Sequence, residues 1–96
     1  MGRFTVRVEL HDSKESDYNK LHGAMKDRGF LRTIKIGSGN FLLPSGEYNF
    51  VGRATRKTIC DKAAAAANAT KRAYAILVTE GVRTFRHLPP ATARRR

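Results

Sequence analysis

Cysteine is nearly absent, with Cys60 standing alone among 96 residues. One thiol cannot close an intrachain disulfide or build a thiolate zinc cluster. That suits a reducing interior, and Cys60, inside a helical pattern, reads as a small packed residue rather than a nucleophile. Long apolar runs are missing too, none reaching the ~18–20 residues of a membrane-spanning helix. Met1 leads through Gly2 and Arg3 into a strand pattern with no leader peptide, so a cytoplasmic protein with no membrane contact is expected. The chain shows no internal repeat and no linker. Also lacking are a Ser-His-Asp set, a phosphate-cradling glycine loop and a paired-histidine metal motif, so no cofactor is implied.

The scarcest class, relative to its opposite, is acid: eight Asp/Glu stand against nineteen Lys/Arg. The imbalance is uneven. Residues 1–30 hold six basic and five acidic side chains, whereas residues 31–96 hold thirteen basic and three acidic ones. Such asymmetry is the footprint of a polyanion-binding protein, most often one that meets nucleic acid. The length is that of one domain, and 41% apolar content with eight aromatics suffices for a core. The expected division is a folded unit over residues 1–90 and a flexible basic tail over 91–96.

Residues 3–11 alternate strictly: Phe4, Val6, Val8 and Leu10 point one way, Thr5, Arg7, Glu9 and His11 the other. Period two is the mark of a strand with one covered face. Asp12 or Ser13 then offers a cap to a helix over 14–28, with Tyr18, Leu21 and Met25 as its buried stripe. Gly29 stands at the left-handed C-cap position and Phe30 can fold back on the last turn. Strands are expected over 31–36, resuming over 41–43 after a hairpin-like kink, and over 48–52, with turns at 37–40 and 44–46. Thr55 caps a second helix reaching about Thr70, whose buried face is mostly alanine. Residues 73–79 form the most apolar strand, and 82–87 a short extra one. The order predicts an α+β, ferredoxin-like β-α-β-β-α-β domain. It has an antiparallel sheet in strand order 4-1-3-2, both helices on one face and a short C-terminal strand added.

Several side chains are placed to do chemistry. His11 and Asp12 end the first strand; His11 can exchange a proton near neutral pH. Asp12 serves first as a helix cap and second as a ligand for a divalent metal. His22, beside the buried stripe, reads as structural. Arg53, Arg56 and Lys57 cluster with Thr55 at the start of the second helix, where free N–H groups favour an anion although the basic side chains oppose the dipole. Arg7 and Lys35 face outward from the sheet, and Arg83 and Arg86 flank the last strand, with the arginines at 94–96 as a further clamp. The third strand, Glu47-Tyr48-Asn49-Phe50-Val51-Gly52, lacks the basic-glycine-aromatic run with which the common RNA-recognition sheet stacks bases.

The segments Phe4-Thr5-Val6-Arg7-Val8-Glu9-Leu10-His11, Lys26-Asp27-Arg28-Gly29-Phe30, Leu43-Pro44-Ser45-Gly46-Glu47-Tyr48-Asn49-Phe50 and Tyr74-Ala75-Ile76-Leu77-Val78-Thr79-Glu80 resemble small bacterial and phage proteins. These are grouped as a domain of unknown function that includes the GhoS-type antitoxins. The resemblance spans residues 3 to about 87. It implies a ferredoxin-like fold related to the small endoribonucleases of CRISPR adaptation, and sequence-selective cleavage of a toxin's messenger RNA. Those relatives carry an acidic residue near the end of the first strand, for which Asp12 is the nearest match. The expectation is a small RNA-binding protein with endoribonuclease activity: the 2′-OH attacks the adjacent phosphate, Arg7, Arg53 and Arg56 neutralise charge, and His11 or Asp12 handles the proton. A homodimer paired through 82–87 is expected. The rival readings are a nucleic-acid binder without catalysis, encoded by a mobile element, and a phage-encoded module that binds a protein partner.

Overall fold

The computed structural model describes residues 2–91. The elements run β1 (Gly2–Leu10), α1 (Glu15–Asp27), β2 (Thr33–Ile36), β3 (Gly39–Leu42), β4 (Glu47–Gly52), α2 (Arg56–Asn68) and β5 (Tyr74–Glu80). This is the expected α+β, ferredoxin-like succession, and the hairpin-like kink expected in the second strand is the short antiparallel β2–β3 ribbon.

Alternation along β1 decides the layering. Phe4, Val6, Val8 and Leu10 are buried among Leu21 and Met25 of α1, Tyr48 of β4 and Ile59, Ala63, Ala66 and Ala67 of α2. Both helices therefore cover one face of the sheet. Each large side chain so buried contributes about 1.5–3 kcal/mol. The alanine face of α2 keeps that helix close to β1 and β5.

β1 is the central strand, antiparallel to β4 on one side (Phe4 opposite Phe50) and to β5 on the other (Val6 opposite Val78). The order is β4-β1-β5, and among the described residues β2 pairs as a strand only with β3. Where the expected order 4-1-3-2 calls for a full outer strand, one bridge, Leu31 with Asn49, ties the ribbon to β4. Asn49 adds a side-chain bond from Nδ2 to the Thr33 carbonyl at 3.1 Å.

The ends of α1 show what is local and what is not. Its C-terminus closes as expected: Gly29 adopts φ 89°, its N–H donates to the Lys26 carbonyl, and Phe30 N–H donates to the Met25 carbonyl. That double bond is the Schellman motif, and Phe30 folds back into the core. The N-terminus differs from expectation. Asp12 is exposed at φ 52°, and the cap position belongs to Lys14. A lysine has no acceptor, so the bond runs backward, from Lys14 N–H to Asp17 Oδ2 at 2.9 Å. Asp17 also accepts from Arg72 Nε at 3.0 Å, which brings it under the fold and removes any need for Asp12 as a cap. Thr55 caps α2 as expected, accepting from Thr58 N–H at 3.1 Å.

Residues 82–87 do not form a strand. After Gly81 the chain crosses the sheet face opposite the helices. Arg83 Nη1 donates to the Phe4 carbonyl at 2.9 Å and to Thr5 Oγ1 at 3.2 Å. Phe85 packs against Phe41 of β3 with ring centroids 5.1 Å apart and the planes tilted by 53°. The extra C-terminal strand is reduced to a single bridge between Phe41 and Pro90. Ala91 N–H donates to the Asn40 carbonyl at 2.9 Å, so the folded unit includes Ala91. The arginines at 94–96, foreseen as a flexible clamp, lie outside the described residues.

Candidate nucleic-acid interface

The face of the sheet away from the helices carries Arg3, Thr5, Arg7 and Glu9 from β1. Its two ends differ in charge. At the Arg3 end, the ribbon and the crossing segment meet over the strand and leave a cleft of about 330 Å³, lined by Arg3, Lys35, Ile36, Gly37, Val82 and Arg83. Three cations line it and no carboxylate does. Arg83 is pinned by its two bonds to β1. Burial, and next the neighbouring charge of Arg3, hold the Arg83 guanidinium below its ordinary value. An anion between these groups would relieve both penalties.

The second basic group stands at the same end of the sheet, because Gly2 pairs with Gly52 and Arg3 with Val51. Its charges are largely answered. Arg56 Nη1 lies 3.2 Å from Glu80 Oε1, and Lys57 Nζ lies 3.0 Å from Asp61 Oδ2. That ion pair raises the Lys57 pKa. Arg53 is exposed and has no ion-pair partner among the described residues. The N-terminus of α2 is already occupied by Thr55, so it is a weaker anion site than the composition suggested.

His11 and Asp12 lie at the other end. β1 runs from Gly2 to Leu10, which at ~3.4 Å per residue separates its ends by roughly 27 Å. Within one protomer, a phosphate held by Arg53 or Arg56 is therefore far beyond the reach of His11 or Asp12. The expected division of labour between those arginines and that pair does not hold on one chain. The nearest charge to the His11 ring is Glu9, with Nε2 and Oε1 3.7 Å apart and both side chains more than half exposed. Among the described residues no group of three His, Cys, Asp or Glu is placed to hold a metal ion. Arg7 stands between the two ends, opposite Glu47 and two residues from Glu9, so its charge is partly offset. Lys35 lines the cleft; Arg86 is exposed on the crossing segment.

Arg3 escaped the sequence reading, although it shares the outward parity of Thr5 and Arg7. That parity was the available signal; its convergence with Lys35 and Arg83 depends on contacts between distant segments. His22 is structural as expected. Its Nδ1 makes a 2.6 Å hydrogen bond with the Tyr48 hydroxyl. Burial, helped by the charge of Arg32, lowers its pKa to about 4, so the ring is neutral at pH 7. No helix among the described residues is long and apolar enough to cross a membrane.

Set against known protein families, curated proteins and solved structures, the chain matches none. The GhoS-type resemblance therefore rests on the four quoted segments.

Proposed function

We propose that this chain binds RNA through its phosphate backbone, with the Arg3, Lys35 and Arg83 cleft as the principal contact. The observation that carries the reading is the convergence of three cations from β1, β2 and the crossing segment on a cleft without a carboxylate. Phosphate contacts supply affinity and position without reading sequence. Arg53 extends the positive surface around this end. The endoribonuclease reading, with His11 or Asp12 moving the proton, requires a scissile phosphate at the far end of β1. There Glu9 repels it and Arg7, itself opposite Glu47, is the nearest outward cation on the strand, so binding without cleavage is the better supported form.

Retention of a labelled single-stranded RNA pool across a salt series, with intact length read on the same samples, tests this. The wild-type chain should retain the RNA, with a log–log slope of about −0.7 per phosphate neutralised. Lys35→Ala with Arg83→Lys should flatten the slope, whereas His11→Ala with Asp12→Ala should leave it unchanged. RNA shortened by the wild type and left whole by the His11/Asp12 variant would replace binding by cleavage. Retention indifferent to Lys35 and Arg83 would sink the proposed interface.

A further inference from the structure

The two outer strands of the sheet are treated differently. β4 is tied along its outer side to the ribbon through Leu31. β5, seven residues long, pairs only with β1 among the described residues. It carries few of the usual protections of a free edge. The run Tyr74-Ala75-Ile76-Leu77-Val78-Thr79-Glu80 has no proline, no lysine and one charge, and its register against β1 is unbroken by a bulge.

The phase of the free hydrogen-bonding groups follows from the ladder. His11 N–H donates to the Ala73 carbonyl, and Gly81 N–H donates to the Arg3 carbonyl. Odd-numbered residues of β5 thus turn their backbone groups toward β1, and Tyr74, Ile76, Val78 and Glu80 turn theirs outward. The side chains of Tyr74, Ile76 and Val78 pack against the core yet remain only partly buried, while Val6 and Val8 on β1 are 0% and 2% exposed. The core is therefore unfinished along this edge. On the other face Leu77, at the middle of the strand, is 62% exposed.

We infer that a second copy of this chain pairs with β5 in antiparallel fashion, about a two-fold axis through Leu77. This register is self-complementary. Ile76 faces the partner's Val78 as a hydrogen-bonded pair, and so does Tyr74 with the partner's Glu80, each using the backbone groups that now point outward. Both aliphatic residues fall on the helix side, where each extends the other's core. Leu77 meets the partner's Leu77 on the opposite face as a non-hydrogen-bonded pair, with Cα atoms about 4.5 Å apart. The product is one six-stranded sheet whose outward faces join. It replaces the expected dimer contact through 82–87, a segment folded onto its own chain by Arg83 and Phe85. The inference is independent of RNA binding.

The test is light scattering after gel filtration, together with oxidative crosslinking in a Cys60→Ser background. The wild type should have twice the monomer mass. Leu77→Lys, which alters an exposed side chain remote from the core, should halve that mass and keep the circular dichroism of the fold. Leu77→Cys should link rapidly into a covalent dimer, because the expected Cα separation lies within the disulfide range of about 4.4–6.8 Å. Val82→Cys, 85% exposed but beyond the strand, should link slowly. A wild-type monomer would overturn the inference. A dimer that survives Leu77→Lys and links no faster through position 77 than through position 82 would also overturn it.

Discussion

The two ends of β1 are built from the same alternating strand and come to opposite electrostatic conclusions. At the His11 end, polar groups find partners within the fold. Leu10 N–H donates to the Tyr18 hydroxyl, Val8 N–H to the Gly46 carbonyl, and Asp17 answers both Lys14 N–H and Arg72. At the Arg3 end, Arg3, Lys35 and Arg83 face one another across a cleft with no acid among them. Bringing like charges together costs stability, and nothing in the described structure repays that cost. The difference teaches where the excess charge is concentrated: its net value is a property of the whole chain, but three cations without an acid among them converge at one end.

The sharpest way to break this comparison is to reverse the charge at each end in turn. Arg83→Glu puts a carboxylate into the cleft and should lower RNA affinity about 100-fold at low salt, about 2.7 kcal/mol. Glu9→Lys, the opposite change at the other end, should alter affinity about 2-fold at most. Fluorescence anisotropy with one labelled RNA reads both. Equal and opposite responses would mean that net charge alone drives binding, and the distinction between the ends would fail.

What could be read from the sequence divides along the same line. The facing of β1, the Gly29 and Phe30 closure of α1 and the Thr55 cap of α2 rest on residues within a few positions of one another, and all three hold. The start of α1 does not, because Asp17 Oδ2 accepts both from Lys14 N–H and from Arg72, 55 residues away. Residues 82–87 carry an apolar and polar mixture that reads as a strand, yet the bonds of Arg83 and the packing of Phe85 against Phe41 decide otherwise. The cleft was half legible: Lys35 and Arg83 were singled out by charge, Arg3 was not, and only tertiary contacts join the three.

A second effect should touch stability at the His11 end and spare the cleft. Gly46 adopts φ 88°, and a Cβ there would come within 2.8 Å of the Val8 carbonyl oxygen. That oxygen is backbone and cannot swing aside. Gly46→Ala should therefore destabilise the fold by about 2 kcal/mol, through the left-handed strain and the clash together. Thermal unfolding gives the loss, and anisotropy well below the midpoint should show unchanged RNA affinity. Loss of affinity in the folded variant would mean that the two ends of β1 are mechanically coupled.

The smallest effect is a pH dependence that belongs to neither end. His22 is held neutral against Tyr48, its pKa lowered from 6.5 to about 4. The unfolded chain therefore binds more protons than the folded one between those values, and stability falls as pH drops through that window. With a half-buried ring partly screened by solvent, the loss should be about 1–2 kcal/mol between pH 6.5 and pH 4. Asp17, whose pKa is lowered from 3.8 by the Lys14 N–H and Arg72, gives its own loss only at lower pH. Chemical denaturation at pH 7, 5.5 and 4.5 should show the decline in the wild type and a flatter profile in His22→Gln. Since His22 does not line the cleft, RNA affinity of the folded protein should not decline alongside stability. A parallel decline would place the RNA contact on the helix side of the sheet instead.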